Sequence, residues 1–169
     1  MKNLALEKGT ALLVTDEAGR IYFTGFHRTF GYLVLSDRPV FFTDARYFAA
    51  AKARITGAEV RLSSELAAVG EELAAQRIAR LGLDETVTSV SLYRSVEALG
   101  LPLFDASAAL ADAMAVKSAE EISLIEASCR ITQDSLYAAL GAVREGIAER
   151  ELAAEIEYQM KKRGATKTS

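Results

Sequence analysis

Apolar residues follow two different spacings along this chain, and the change between them predicts its elements. Between residues 11 and 62 they come in short runs, which are typical of buried strands. The runs cover Ala11–Thr15, Gly31–Leu35, Val40–Thr43 and Glu59–Leu62. Because only the polar stretch 36–39 separates the second run from the third, these two strands are predicted to form a β-hairpin.

The segments between these strands carry signals of their own. Residues 16–19 are predicted to form a turn, after which Ile21–Phe23 resumes extended structure. Asp44 precedes an alanine-rich stretch, and its carboxylate can accept the free backbone N–H groups of a helix start. A helix is therefore predicted over Ala45–Ile55.

Helical spacing becomes more frequent from residue 63 onward. Leu66, Val69 and Leu73 recur at steps of three and four, which predicts a helix that runs to Arg80. The segments that follow are predicted as a strand at Gly82–Asp84, a helix at Val90–Leu99, an extended stretch at Pro102–Asp105 and a helix at Ala106–Ala113. Strands that alternate with helices predict an α/β fold with a buried sheet flanked by helices, and the hairpin makes that sheet mixed.

The last third of the chain predicts a helical hairpin. Ser118 and Glu121 have the spacing of a capping box. Behind them lies one apolar stripe at helical spacing, formed by Ile122, Ile125, Cys129, Leu136, Leu140 and Val143. Gly146 breaks this pattern, and a second helix is predicted over Glu149–Arg163, with inward residues Leu152, Ile156 and Met160 and with Gly164 as its C-cap.

These two helices present large apolar side chains, each worth about 1.5–3 kcal/mol when buried. We expect them to pack on each other, on the α/β layer, on a partner chain or on a further domain.

Composition excludes several classes of function. Half of the residues are hydrophobic and only 2 are proline, so a packed core is expected. The net charge is −3 without any basic block, which disfavours nucleic-acid binding. No apolar run approaches the roughly 20 residues needed to cross a membrane, and the start lacks the apolar core of a signal peptide. The single cysteine, Cys129, excludes an internal disulfide and favours a cytoplasmic location.

Five segments, taken in order, resemble one known family. The stretches 22–26 (YFTGF), 31–35 (GYLVL) and 42–47 (FTDARY) resemble the N-terminal domain of the creatinase and Xaa-Pro peptidase family, which has a ribonuclease H-like layer. Residues 114–122 (MAVKSAEEI) are similar to the family's crossing into its pita-bread catalytic domain. Residues 146–152 (GIAEREL) are similar to the turn between the first two catalytic helices.

The resemblance implies a metal-dependent hydrolase that removes an N-terminal residue preceding proline. Such a peptidase holds two divalent ions (Mn, Co or Zn) on two Asp, one His and two Glu, and the ions clamp a hydroxide and polarise the scissile carbonyl. None of the five ligand positions of the family falls within residues 1–169, and the single histidine, His27, lies in the N-terminal part. We therefore expect no metal site in this chain and no hydrolysis by the chain alone.

Two groups of residues are candidates for a role in the site. In the family, N-terminal-domain loops reach a neighbouring subunit's active site and limit it to short peptides, so His27 and Arg28 are candidates for control of substrate access. The alternative is a solvated or capping loop pair. Asp44, Arg46 and Tyr47 form a conspicuous motif, for which a structural role at the helix start is favoured over substrate binding.

Other polar features are assigned structural roles. The capping box already explains Glu121, so Glu120 and Glu121 are not expected to be a metal pair. Cys129, on an apolar stripe with no histidine nearby in sequence, is predicted to be a small buried residue rather than a nucleophile. The basic residues 161–163 are assigned to the negative end of a helix dipole.

The resulting prediction is an N-terminal α/β domain over residues 1–113, followed by the first two helices of a truncated catalytic domain over 114–169. The parent would be a cytoplasmic, homodimeric Xaa-Pro aminopeptidase or dipeptidase that acts on short peptides. Within it, this portion would assemble subunits and limit substrate access. The chain ends at Ser169, shortly after Gly164, and this favours truncation. The alternative is a natural stand-alone binding or dimerisation module, non-enzymatic, that derives from the same family.

Overall fold

The computed structural model describes residues 4–27 and 30–168. The chain divides into two compact units, 1–115 and 116–169. The strands of the first unit are β1 (Thr10–Val14), β2 (Tyr32–Leu35), β3 (Val40–Thr43), β4 (Glu59–Leu62), β5 (Arg80–Leu83) and β6 (Leu103–Asp105). Its helices are α1 (Glu17–Thr24), α2 (Ala45–Arg54), α3 (Leu66–Ala75), α4 (Val90–Glu97) and α5 (Ser107–Ala115).

The strands form one six-stranded sheet in the order β4-β3-β2-β1-β5-β6. Strand β2 is antiparallel to both of its neighbours, and the other pairings are parallel. This arrangement confirms the predicted mixed sheet and the predicted hairpin. Because only β2 is reversed, its first residue lies at the same edge of the sheet as the last residues of the other five strands. We call this edge the carboxyl edge.

The sheet carries a buried layer on each face. Adjacent residues of a strand point to opposite faces, so Leu12 and Leu13 belong to different layers, as do Phe41 and Phe42. Leu12 and Phe41 pack with residues of α1, α2 and α5, whereas Leu13 and Phe42 pack with residues of α3 and α4. A sheet covered on both faces explains why its strands read as continuous apolar runs.

Three predictions for the first unit are wrong. Residues 16–19 do not form a turn, because Asp16 is the N-cap of α1 and residues 17–19 are its first turn. Ile21–Phe23 is not extended but belongs to α1, because the Asp16 carboxylate accepts the Gly19 N–H at 2.7 Å and starts a helix there. Helix α3 does not reach Arg80. It ends at Ala75, where Arg77 takes a left-handed conformation (φ 57°) and the Ile78 N–H bonds the Leu73 carbonyl at 2.9 Å.

The second unit consists of α6 (Ala119–Leu140) and α7 (Glu149–Lys162), which pack against each other. The predicted capping box is present: the Glu121 carboxylate accepts the Ser118 N–H at 2.8 Å, and the Ser118 hydroxyl accepts the Glu121 N–H at 3.2 Å. Leu152, Ile156 and Met160, predicted to face inward from α7, are half-buried. No described helix of the chain is long and apolar enough to span a membrane.

The predicted apolar stripe of α6 remains largely uncovered. Ser135 and Ala139 are fully buried, but Leu136 is 46% exposed and Leu140 is 51% exposed. Adjacent helical residues point about 100° apart. The buried face of α6, which carries Ser135 and Ala139, is therefore a different face from the apolar stripe. The prediction that Cys129 is buried is wrong, because Cys129 lies on this exposed side.

A buried carboxylate connects three elements of the first unit. Glu72 on α3 is 5% exposed and accepts hydrogen bonds from Arg61 on β4 and from the Gln76 side chain, the latter at 2.6 Å. Gln76 in turn bonds the Ser36 hydroxyl and the Arg38 carbonyl in the hairpin loop, at 2.7 and 2.8 Å. This network holds α3 to the edge strand and to the hairpin.

We predict that Glu72→Ala lowers the free energy of unfolding by about 1–3 kcal/mol, because the bonding partners of a buried carboxylate lose it. Glu59 also pairs with Arg61, but its side chain is 61% exposed. Glu59→Ala is therefore a matched control and is expected to cost less than about 1 kcal/mol. Urea unfolding of both variants measures the difference, and equal losses would contradict the assigned role of Glu72.

Candidate functional site

The connection from α1 to β2 places the candidate residue His27 at the carboxyl edge. Residues 25–31 form this connection, which we call the edge loop. The loop must reach the start of β2, and β2 starts at the carboxyl edge because it is antiparallel to β1. Asp44 follows β3 and lies at the same edge. The topology thus brings the two predicted groups to one side of the sheet.

The first end of the edge loop is fixed by the end of α1. Gly25 closes the helix in a left-handed conformation (φ 68°), and its N–H bonds the Ile21 carbonyl. The Thr24 hydroxyl donates to the Arg20 carbonyl at 2.6 Å and accepts the Phe26 N–H at 3.1 Å. The Phe26 ring is buried in the core. The backbone that leads to His27 is therefore held in place.

The second end of the edge loop is fixed by β3. The Thr43 hydroxyl donates to the Phe30 carbonyl at 2.7 Å. Gly31 follows with φ 150°, and a Cβ at this position would lie 1.9 Å from the Phe42 carbonyl oxygen. Only glycine permits this close approach of two backbones. The loop is thus anchored on both sides of its central residues.

Two described residues of the edge loop, His27 and Phe30, are exposed to solvent. His27 is exposed, and Arg28 lies outside the described residues. Phe30, which sequence reasoning missed, is 50% exposed and stacks edge-on near Tyr32, with ring centroids 6.4 Å apart. An exposed aromatic ring on a fixed backbone loses little conformational entropy when it makes a contact. The signal that could have identified it is an aromatic residue directly before a glycine in a polar loop.

Buried Arg20 connects α1, which leads into the edge loop, to the residue that follows β1. It is 7% exposed, and its guanidinium donates to the carbonyl of Thr15, the residue that follows β1. Burial lowers the pKa of Arg20, and the nearby carboxylates of Asp16 and Glu17 partly oppose that effect. Arg20 also belongs to the residues that sequence reasoning did not single out, because charged residues are rarely buried.

The Asp44 motif has the geometry of a helix start. The Asp44 carboxylate accepts the Arg46 N–H at 2.9 Å, so the predicted cap is present. The Arg46 guanidinium donates to the same carboxylate at 2.6 Å and holds the pKa of Asp44 below its usual range. Arg46 also lies 5.3 Å from the centre of the half-buried Tyr47 ring. These contacts engage the Asp44 carboxylate and the Arg46 guanidinium with each other.

Two further carboxylates lie at the carboxyl edge, after β5 and at the end of β6. Burial raises the pKa of Asp84, but hydrogen bonds from Thr86 and Ser107 outweigh this effect and hold the pKa below the usual value. Hydrogen bonds from Ser107 lower the pKa of Asp105. Both carboxylates therefore stabilise the turns that follow their strands. Within residues 4–27 and 30–168, no three His, Cys, Asp or Glu side chains come together as a set of metal ligands.

Comparisons with known proteins agree over most of the chain. Residues 2–119 match the family model described as the Creatinase/Prolidase N-terminal domain. The uncharacterized peptidase YqhT of Bacillus subtilis (strain 168) is 29% identical over 175 aligned residues, which cover all of this chain but only 50% of YqhT. The chain therefore spans about half the length of this relative.

Solved structures show the same fold. The Xaa-Pro dipeptidase from Bacillus anthracis matches with a TM-score of 0.86 and 27% identity, over 92% of this chain and 45% of that protein. The N-terminal domain of the cytoplasmic peptidase PepQ from Mycobacterium tuberculosis matches with a TM-score of 0.55 and 22% identity, over 61% of this chain and 85% of that domain. The fold of the first unit is therefore that of the N-terminal domain in such proteins.

We predict that Gly31→Ala destabilises the first unit more than Gly25→Ala does. Both positions have positive φ, but a Cβ at residue 25 meets nothing within 4 Å. The expected loss of unfolding free energy is about 1–2 kcal/mol for Gly25→Ala and about 2–6 kcal/mol for Gly31→Ala, where strain and a backbone clash add. Thermal and urea unfolding measure both, and equal losses would contradict the anchoring of the edge loop at Gly31.

Proposed function

Because the chain belongs to the creatinase/prolidase N-terminal domain family, we propose that it is the N-terminal, non-catalytic portion of a metal-dependent Xaa-Pro aminopeptidase or dipeptidase. The observation that carries this proposal is the match of the whole chain to only half of YqhT. A protein named Xaa-Pro dipeptidase, from Bacillus anthracis, also shares the fold over 92% of this chain. Residues 1–113 then form the N-terminal domain, and 114–169 begin the catalytic domain.

The apolar stripe of α6 supports this division. Ile122, Ile125, Leu136 and Leu140 are each about half exposed, at 47%, 49%, 46% and 51%. Leaving so many large apolar side chains in water forgoes several kcal/mol of burial free energy. In the proposed parent, the remainder of the catalytic domain covers this stripe.

The chemistry is assigned to that remainder. The parent is expected to hold two divalent ions, which would polarise the scissile carbonyl and supply a hydroxide. The described residues of this chain do not fit such a site, since they bring no ligand set together. We therefore propose that the chain alone neither binds the ions nor cleaves peptides.

The role of this portion is assembly and control of substrate access. The edge loop supports the second role, because its anchored ends present His27 and Phe30 outward in a fixed position. Loops of this kind, held by a rigid scaffold, commonly carry binding residues. The parent is proposed to be a homodimer that acts on short Xaa-Pro peptides. The description of PepQ as cytoplasmic supports a cytoplasmic location.

We predict that a chimera restores activity. In it, this chain replaces the matching segment of the Bacillus anthracis Xaa-Pro dipeptidase, and hydrolysis of an Ala-Pro peptide is measured with added Mn²⁺. The chimera is expected to cleave the peptide, and the chain alone is expected to be inactive. Tight stoichiometric metal binding or Ala-Pro cleavage by the purified chain would contradict the proposal.

The same chimera tests His27. If the edge loop limits access, His27→Ala changes KM and the preference for peptide length several-fold and leaves kcat nearly unchanged, because His27 does not take part in bond cleavage. Unchanged turnover and unchanged length preference would show that His27 is a solvated loop residue. Arg54→Ala, exposed at the other end of α2, is the matched control.

The exposed stripe of α6 also favours a second candidate function, a stand-alone dimerisation module without catalysis. Under this alternative the stripe is buried between two chains. Leu136→Asp would then place two carboxylates in the interface and convert dimers into monomers, which sedimentation velocity measures. If the Leu136→Asp variant stays dimeric, this alternative is wrong.

A further inference from the structure

A tyrosine of α1 connects the edge loop to the last helix of the first unit. Tyr22 lies three residues before Gly25, where the edge loop starts. Its hydroxyl donates to the carbonyl of Ala113, in the last turn of α5. Helix α5 ends at Ala115, and the second unit begins with Val116. The bond therefore joins the helix that leads into the edge loop to the helix that leads out of the first unit.

The ring of Tyr22 adds apolar contacts to this bond. Tyr22 is half-buried and packs against the core cluster that contains Phe26 of the edge loop and Leu110 of α5. It also lies edge-on to the Phe23 ring, with the ring centroids 5.0 Å apart. Close-packed side chains have few alternative positions, so a displacement of one is transmitted to its neighbours. Tyr22 thus belongs to a packed layer that reaches from the edge loop to α5.

The backbone between Tyr22 and the exposed His27 has little freedom of its own. The Gly25 N–H bonds a carbonyl of α1 at 2.7 Å, and the Phe26 N–H bonds the Thr24 hydroxyl at 3.1 Å. The Phe26 side chain is only 5% exposed. A shift of α1 is therefore passed on to His27 and is not absorbed at the start of the loop.

We propose that Tyr22 is a positioning residue, which couples the edge loop to the end of α5. A displacement of one of these two segments then shifts the other, and the coupling is the same in both directions. In the proposed parent the catalytic remainder continues the chain after α5, so Tyr22 links that remainder to the position of His27. This role in substrate access rests on the proposed function, whereas the coupling itself lies within the first unit.

Hydrogen exchange of the full chain, followed residue by residue by NMR, tests the coupling. Tyr22→Phe removes the hydroxyl and keeps the ring. The amides of Gly25 and Phe26, and those in the last turn of α5, are then expected to exchange about three- to tenfold faster, because one net hydrogen bond no longer opposes their local opening. Amides of α3 and α4, on the other face of the sheet, are expected to change less than about twofold.

Tyr93→Phe is the matched control. Tyr93 is a half-buried tyrosine of α4 that packs against the other core cluster, and its hydroxyl has no hydrogen-bond partner among the described residues. The control is expected to change neither set of amides. If Tyr22→Phe accelerates exchange in α5 but not at Gly25 and Phe26, the bond is a local contact and the proposal is wrong. Equal acceleration in α3 and α4 would show a general loss of stability and would also overturn it.

The chimera described above tests the consequence for substrate access. Tyr22→Phe is expected to change KM and the preference for peptide length several-fold and to leave kcat nearly unchanged, because a displaced edge loop alters access and not bond cleavage. Unchanged KM and unchanged length preference in an active chimera would overturn the role in access. An inactive wild-type chimera would contradict the proposed function alone, since hydrogen exchange in this chain decides the coupling independently.

Discussion

The antiparallel strand β2 lies inside the sheet, between β1 and β3, and the position of the candidate site depends on it. In a wholly parallel sheet every strand would start at the opposite edge, and only the ends of strands would lie at the carboxyl edge. Because β2 is reversed, the edge loop must lead to the carboxyl edge, where it contacts the end of β3. Thr43 then bonds Phe30, and Gly31 passes against Phe42. The direction of one strand thus determines where His27 and Phe30 are presented.

The two units differ in how fully they bury their own apolar residues. The first unit buries both faces of its sheet, and residues such as Leu13, Phe41 and Leu73 have at most 1% of their surface exposed. In the second unit, α6 packs against α7 and buries Ser135 and Ala139, while the predicted stripe stays about half exposed. A helix with a broad uncovered apolar face is typical of part of a larger core. This contrast, together with the coverage of only half of YqhT, supports the proposal that the chain is a portion of a longer protein.

Local signals made much of the fold predictable. The hairpin and the caps at Asp44 and Ser118 were accessible because each depends on a few neighbouring residues. Helix α1 could not be predicted in this way. Its buried face includes the charged Arg20, and the three consecutive apolar residues 21–23 suggested a strand. The end of α3 depends on Arg77 in a left-handed conformation, for which a non-glycine residue gives no signal.

The candidate site was predictable only in part. His27 stood out as the single histidine, but the bond from Thr43 to Phe30 joins residues 13 positions apart and leaves no local pattern. The exposure of Cys129 was missed for a similar reason. Helical spacing shows that one face of α6 is apolar, but it does not show what covers that face.

The measurement that tests the central claim most directly is the mass of the native polypeptide in an extract of its source organism, detected with an antibody raised against this chain. If the chain is the N-terminal portion of a peptidase, the antibody detects a band much heavier than 18.2 kDa. A single band at 18.2 kDa would contradict that claim and make the stand-alone module the correct description.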